Sequence, residues 1–135
     1  MQEEPTPQAR LRILVVEDSP MNRLLFQDLL ELHGYAVETA GREEEGRAAV
    51  ERERPDLLIV DMHLARADGV EFLRWAQSRP GSPRIPGIVV SASARPGDRD
   101  RALAAGAVAF VAKPINVREF PDIVAKALQT KLSQG

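Results

Sequence analysis

Apolar residues along this chain follow two alternating rhythms. The first is a set of short continuous runs: Ile13-Leu14-Val15-Val16, Leu57-Leu58-Ile59-Val60, Gly87-Ile88-Val89-Val90 and the largely apolar stretch 107–112. A run of this length with no gaps reads as a strand buried on both faces, the habit of a parallel sheet. A weaker run at 36–39 predicts one more strand, second in chain order. The second rhythm is helical. Leu24, Leu25, Phe26, Leu29, Leu30 and Leu32 give residues 20–32 a broad apolar face. Ser19 stands where an N-cap is wanted, Pro20 in the first turn, and Gly34 as a stop. Further helices are predicted over 43–53, over 70–77, from Arg95-Pro96-Gly97-Asp98 to about 105, and over 117–132. Phe72, Leu73 and Trp75 mark the third, and Phe120, Ile123, Val124 and Leu128 the last.

Strand and helix alternate five times, so the expected class is α/β, a parallel sheet with helices on both faces. Right-handed crossovers and short loops leave few topologies. A flavodoxin-like (βα)5 three-layer sandwich of strand order 2-1-3-4-5 suits this length. The single domain is expected over residues 11–132. Residues 1–10, with Pro5 and Pro7 among Glu, Gln and Thr, are expected to be a disordered tail, and 133–135 a short C-terminal tail.

Composition narrows the class. The chain has 135 residues, 44% apolar and 28% charged, an ordinary globular balance. A net charge of −2 argues against a general nucleic-acid or anionic-membrane surface. No cysteine is present, which excludes disulfides and thiolate metal sites. The first ten residues lack the apolar core of a signal peptide, and no run approaches a membrane span. The expectation is a cytoplasmic protein.

Candidate chemistry gathers at the strand ends. Strand 1 runs into Glu17-Asp18, strand 3 into Asp61, strand 4 into Ser91 and strand 5 into Lys113. In an open α/β sheet the carboxyl edge is where ligands bind, and order 2-1-3-4-5 sets strands 1 and 3 side by side. Three converging carboxylates repel one another unless a hard cation such as Mg²⁺ shares them. A hydroxyl and an ammonium suit a phosphoryl group. A carboxylate nucleophile, a metal and an ammonium together can run phosphoryl transfer by positioning and charge stabilisation. Lys113 carries extra weight, because only three of the 18 basic residues are lysines (Lys113, Lys126 and Lys131).

These residues, in this order and at these separations, resemble the receiver domains of two-component response regulators (the CheY-like superfamily). The likeness covers about residues 12–132 and rests on Glu17-Asp18, Asp61, Ser91-Ala92 and Lys113-Pro114. It implies that Asp61 accepts a phosphoryl group from a histidine kinase or a histidine phosphotransfer protein. It implies Mg²⁺ on Asp18, Asp61 and the backbone carbonyl of His63, with Glu17 acting directly or through water. Ser91 and Lys113 would contact the phosphoryl oxygens, and the Lys113-Pro114 peptide would be cis. The chain departs from the family at Ala65, where proline is usual, at Phe110, commonly Tyr, and at Ser91, commonly Thr.

Asn22-Arg23-Leu24-Leu25-Phe26 and Lys113-Pro114-Ile115 look most like single-domain receivers of the DivK-like type and receivers of hybrid kinases. The chain ends soon after the fifth predicted helix, so its output is expected to be protein binding. The family's usual readout surface is formed by the fourth helix, fifth strand and fifth helix. Phe110, Arg95 and Arg99 fall there, and Arg101 lies beside them. The expectation is a signalling protein, not a turnover enzyme. Two alternatives stand beside it: a receiver-like scaffold that is never phosphorylated, and an aspartyl-phosphate phosphohydrolase. The second usually needs an acid/base Asp two residues after the nucleophile, where this chain has His63.

Overall fold

A computed structural model describes residues 10–80 and 84–134. The elements in chain order are β1 (Arg12–Val16), α1 (Pro20–Leu32), β2 (Ala36–Ala40), α2 (Glu43–Arg52), β3 (Leu57–Asp61), α3 (Gly69–Ser78), β4 (Gly87–Ser91), α4 (Asp98–Ala104), β5 (Ala107–Ala112) and α5 (Phe120–Gln134). The five strands form one parallel sheet of order β2-β1-β3-β4-β5. This is the flavodoxin-like arrangement expected from the apolar runs. A separate two-residue antiparallel ladder joins His63–Leu64 to Ala67–Asp68 just past β3.

The continuous runs are continuous because both faces are covered. Every residue of β3 and β4 is buried. Alternate residues feed two cores. Leu14, Val16, Leu58, Val60 and Val89 pack with Phe72 and Leu73 on the α2–α3–α4 side. Ile13, Val15, Leu57, Ile59, Ile88 and Val90 pack with Phe26, Leu30, Phe120 and Val124 on the α1–α5 side. The Phe26 and Phe120 rings, 5.5 Å apart and tilted by 52°, tie α1 to α5. The edge strands β2 and β5 are only partly buried, which is why their sequences carry polar or small residues.

Element bounds differ from expectation where caps intervene. The fifth helix was expected from 117, but its α-helical turns begin at Phe120. Asn116 explains this: its side-chain oxygen accepts from the amides of Arg118 (2.9 Å) and Glu119 (3.1 Å), so 117–119 form a capped turn. The same helix runs on to Gln134, into the stretch expected as a tail. Asp68 is the N-cap of α3. Its Oδ1 accepts from Val70 N at 2.8 Å and Glu71 N at 3.3 Å. The expected disorder of the first ten residues, and 81–83 of the loop before β4, fall outside the described residues, apart from Arg10.

Gly69 closes the turn after β3. Its amide donates to the Met62 carbonyl at 2.8 Å. A Cβ at this position would stand 1.9 Å from the Asp61 carbonyl oxygen, a backbone atom that cannot swing aside. Glycine is therefore required by the close approach of α3 to the end of β3. Gly69→Ala is expected to lose about 3 kcal/mol of stability, the upper end for forced overpacking. Urea unfolding checks this: the midpoint falls while the slope stays at the wild-type value.

Candidate functional site

The site lies at the carboxyl edge of the sheet. β1 and β3 are neighbours with Val16 opposite Val60, so the residues that follow, Glu17 and Asp61, stand side by side at the carboxyl edge. Glu17, Asp18 and Asp61 each bring one carboxylate oxygen within 4.8 Å of the others'. Glu17 and Asp61 are buried, and Asp18 is half-buried.

One cation reaches into this cluster. Lys113 Nζ donates to Glu17 Oε1 at 2.6 Å and to Asp61 Oδ2 at 2.9 Å. Backbone amides take the opposite oxygens. Ser19 N donates to Glu17 Oε2 at 3.1 Å, and His63 N to Asp61 Oδ1 at 3.0 Å. The Asp18 carboxylate has no hydrogen-bond or ion-pair partner among the described residues. Burial pushes the Glu17 carboxyl up from its ordinary value, with the Asp61 charge adding to it, against the bonds from Lys113 and Ser19. Burial alone would lower the Lys113 ammonium. Its bonds to Glu17 and Asp61 outweigh that, and it stays charged with a pKa above its ordinary value.

Ser91 is fully buried at the end of β4, next to β3. Its hydroxyl accepts from Ser93 N at 3.3 Å, which leaves the O–H proton free to donate. Its carbonyl accepts from Lys113 N at 2.8 Å, anchoring the lysine's backbone. No direct hydrogen bond joins the Ser91 hydroxyl to Asp61 or Lys113. The Lys113–Pro114 peptide is cis. His63 turns its side chain outward and meets Asp61 through its amide.

The structure therefore brings Glu17, Asp18, Asp61 and Lys113 into one cluster, with Ser91 and the His63 backbone at its rim. Arg95, Arg99 and Phe110 lie apart from it. Phe110 is half-buried against the α2–α3–α4 core and lines an open cavity of about 310 Å³ beside Pro114 and Phe120. Arg95 and Arg99 are exposed.

Two residues at the site were not singled out from the sequence. Arg23 on α1 donates through Nη1 to the carbonyls of Glu17 (2.8 Å) and Asp18 (3.1 Å). Arg101 on α4, read earlier only as one of three surface arginines, pairs with Asp68 Oδ2 at 2.5 Å. That pair joins α4 to the loop that leaves Asp61. In the sequence Arg23 stood out only as part of the segment Asn22-Arg23-Leu24-Leu25-Phe26, one turn after the acidic pair, with no role attached to it. For Arg101 there was none, because its partner is 33 residues away.

Comparison with known proteins places this geometry in a family. The model for the response regulator receiver domain matches residues 13–125. The chain belongs to the response regulator receiver family. The polar-differentiation response regulator DivK of Brucella anthropi is 33% identical over 112 residues, covering 83% of this chain and 91% of that protein. Among solved structures, a CheY-like receiver domain protein from Methanospirillum hungatei is similar with a TM-score of 0.85 and 32% identity, over 93% of this chain and 99% of that one. The chemotaxis protein CheY4 of Vibrio cholerae gives 0.83 and 25% identity, over 88% and 99%. The chain is thus a two-component signalling module with the CheY-like fold. That assignment does not favour the scaffold or phosphohydrolase alternative. No helix among the described residues is long and apolar enough to cross a membrane.

The Asp68–Arg101 pair sets a pH dependence. Burial would raise the Asp68 carboxyl, but the bond from Arg101 and the amides of Glu71 and Val70 hold it below 3.8. A depressed folded-state value means the stabilisation is present above pH 3.8 and lost as pH falls through the lower folded value. Both side chains are about two-fifths exposed, so the pair contributes about 0.5 kcal/mol. Arg101→Met is expected to lower Tm by roughly 2 °C at pH 7. Melting curves taken down to pH 3 should show that gap narrowing.

Proposed function

We propose that this receiver domain takes a phosphoryl group onto Asp61, and that Glu17, Asp18, Ser91, Lys113 and the His63 carbonyl make the transfer possible. One observation carries the reading. Lys113 Nζ is shared between Glu17 and Asp61, while the adjoining Asp18 carboxylate is left without a protein partner. Three carboxylates against one ammonium leave a formal charge of −2 at the site, a donor set of hard oxygens suited to Mg²⁺. Asp18, Asp61 and the His63 carbonyl would hold that ion, with Glu17 beside it. When bound, Mg²⁺ supplies charge neutralisation between the acceptor carboxylate and the incoming phosphoryl oxygens.

The chain's own groups do the rest. An Asp61 carboxylate oxygen forms the new O–P bond while the N–P bond to the donor's imidazole breaks. The electron pair returns to that imidazole nitrogen. Lys113 moves one of its N–H bonds from Asp61 Oδ2 to a phosphoryl oxygen, so its charge follows the new negative charge. The Ser91 hydroxyl, already oriented by Ser93 N, donates to another.

The donor is a histidine kinase or a histidine phosphotransfer protein. The output is a change in protein binding at the face of α4, β5 and α5, where Phe110, Arg95 and Arg99 lie. Phosphorylation acts by shifting an equilibrium between two conformers of that face. In this reading the domain spans residues 11–132, works in the cytoplasm, and signals by its phosphorylation state without turning over a small-molecule substrate.

Acetyl phosphate with Mg²⁺ should label the protein once, on Asp61, as read by intact-mass and peptide mass spectrometry. Chelation of Mg²⁺ or Asp61→Asn should abolish labelling, and Lys113→Met should slow it by at least about 100-fold. Labelling that survives Asp61→Asn overturns the assignment.

A further inference from the structure

Two cations border the acidic cluster, and they bond differently. Lys113 meets carboxylates. Arg23 is half-buried on α1, bonded to the main chain of two of the acids, yet it is in no ion pair among the described residues. Its Nη1 donates to two main-chain oxygens instead, those of Glu17 (2.8 Å) and Asp18 (3.1 Å). Those carbonyls lie where β1 has left the sheet. The last ladder pair is Val16 with Ala40, followed by Glu17 N to the Ala40 carbonyl at 2.9 Å. Past that point the sheet no longer fixes the backbone, and Arg23 does.

The guanidinium has a seat. Gly41 follows β2 directly, and a Cβ there would stand 2.7 Å from Arg23 Nη1 and 3.2 Å from its Cζ. The φ of Gly41 is not in the left-handed region, so nothing in its own backbone demands glycine. A side chain there would have to displace the guanidinium from the space it fills. Gly41 N in turn donates to Glu45 Oε1 at 3.1 Å, which holds the seat to α2.

We propose that Arg23 is a positioning residue for the metal-binding acidic pair, with Gly41 as its seat, and that together they set the affinity of the site for Mg²⁺. The proposal rests on the reading of Glu17, Asp18 and Asp61 as a Mg²⁺ site. By binding carbonyls, Arg23 fixes the direction in which the two side chains leave the backbone and leaves both carboxylates to the ion. The sign of the effect is diagnostic. If Arg23 acted only as a nearby positive charge, its removal would tighten cation binding. If it positions the ligands, its removal weakens binding.

The test is calorimetric titration with MgCl₂, alongside thermal melts in a chelator. Wild-type protein should bind one Mg²⁺; absence of binding overturns the underlying site and the role of Arg23 with it, whereas wild-type binding unaltered in the variants overturns the role of Arg23 alone. Arg23→Met and Gly41→Ala should each raise the Mg²⁺ dissociation constant about tenfold, the lower end for residues that orient metal ligands. Arg23→Lys keeps the charge and one donor nitrogen, and should fall between wild type and Arg23→Met. The double variant Arg23→Met/Gly41→Ala should bind no more weakly than the poorer single variant, because both break one clamp. In acetyl phosphate labelling, Arg23→Met should raise the Mg²⁺ concentration for half-maximal rate more than it lowers the rate at saturation. Unchanged or tighter Mg²⁺ binding in variants that melt cooperatively overturns the proposal, and so does full additivity in the double variant. Should Arg23→Met fail to fold, Gly41→Ala and Arg23→Lys decide the matter by the same titration.

Discussion

Everything at the carboxyl edge depends on one ammonium group balancing carboxylates that the sheet forces together. Parallel pairing of β1 and β3 leaves Glu17 and Asp61 no choice but to emerge as neighbours. Two buried carboxylates so close would repel, and burial would drive one to take up a proton. Lys113 Nζ, bonded to both, sets one positive charge between them. A buried ion pair of this kind adds little net stability, since desolvation takes back most of the Coulomb gain. Its worth lies in specifying where the charges sit.

The arrangement divides labour between side chains and backbone. Ser19 N and His63 N hold the outer oxygens of Glu17 and Asp61, so each carboxylate is oriented by a donor at either end. Gly69 lets α3 approach until it meets the Asp61 carbonyl. Asp68 then caps α3 and reaches Arg101 on α4. β3 is in this way connected to α4 through one short loop.

The strands, their order and the residues at their tips were legible in the sequence because each is a local signal. A buried run such as Leu57 to Val60 announces itself, and the tip residue follows. Lys113 could be read for a compositional reason, as a rare lysine in an arginine-rich chain. The features that escaped are those in which one end says nothing about the other. Arg23 on an amphipathic helix looks like any solvated arginine, and its acceptors are main-chain atoms with no sequence mark. Gly41 looks like a loop glycine, though what it accommodates is a side chain 18 positions earlier. Arg101 and Asp68 are joined only once α3 and α4 have packed on the same sheet face. The start of α5 was placed three residues early because apolar spacing does not register a cap, and Asn116 provides one.

The wide separation of the site residues along the chain has a consequence for how the protein comes into being. Glu17 and Lys113 are 96 positions apart, and Asp61 and Lys113 are 52 apart. During synthesis the acids emerge long before the lysine that neutralises them. A nascent chain that has laid down β1, α1, β2, α2 and β3 carries its cluster of negative charge without its counter-ion. Completion of β5 supplies it. Contacts so distant in sequence require large loops to close, which slows folding. No fragment that stops short of Lys113 can present the neutralised cluster.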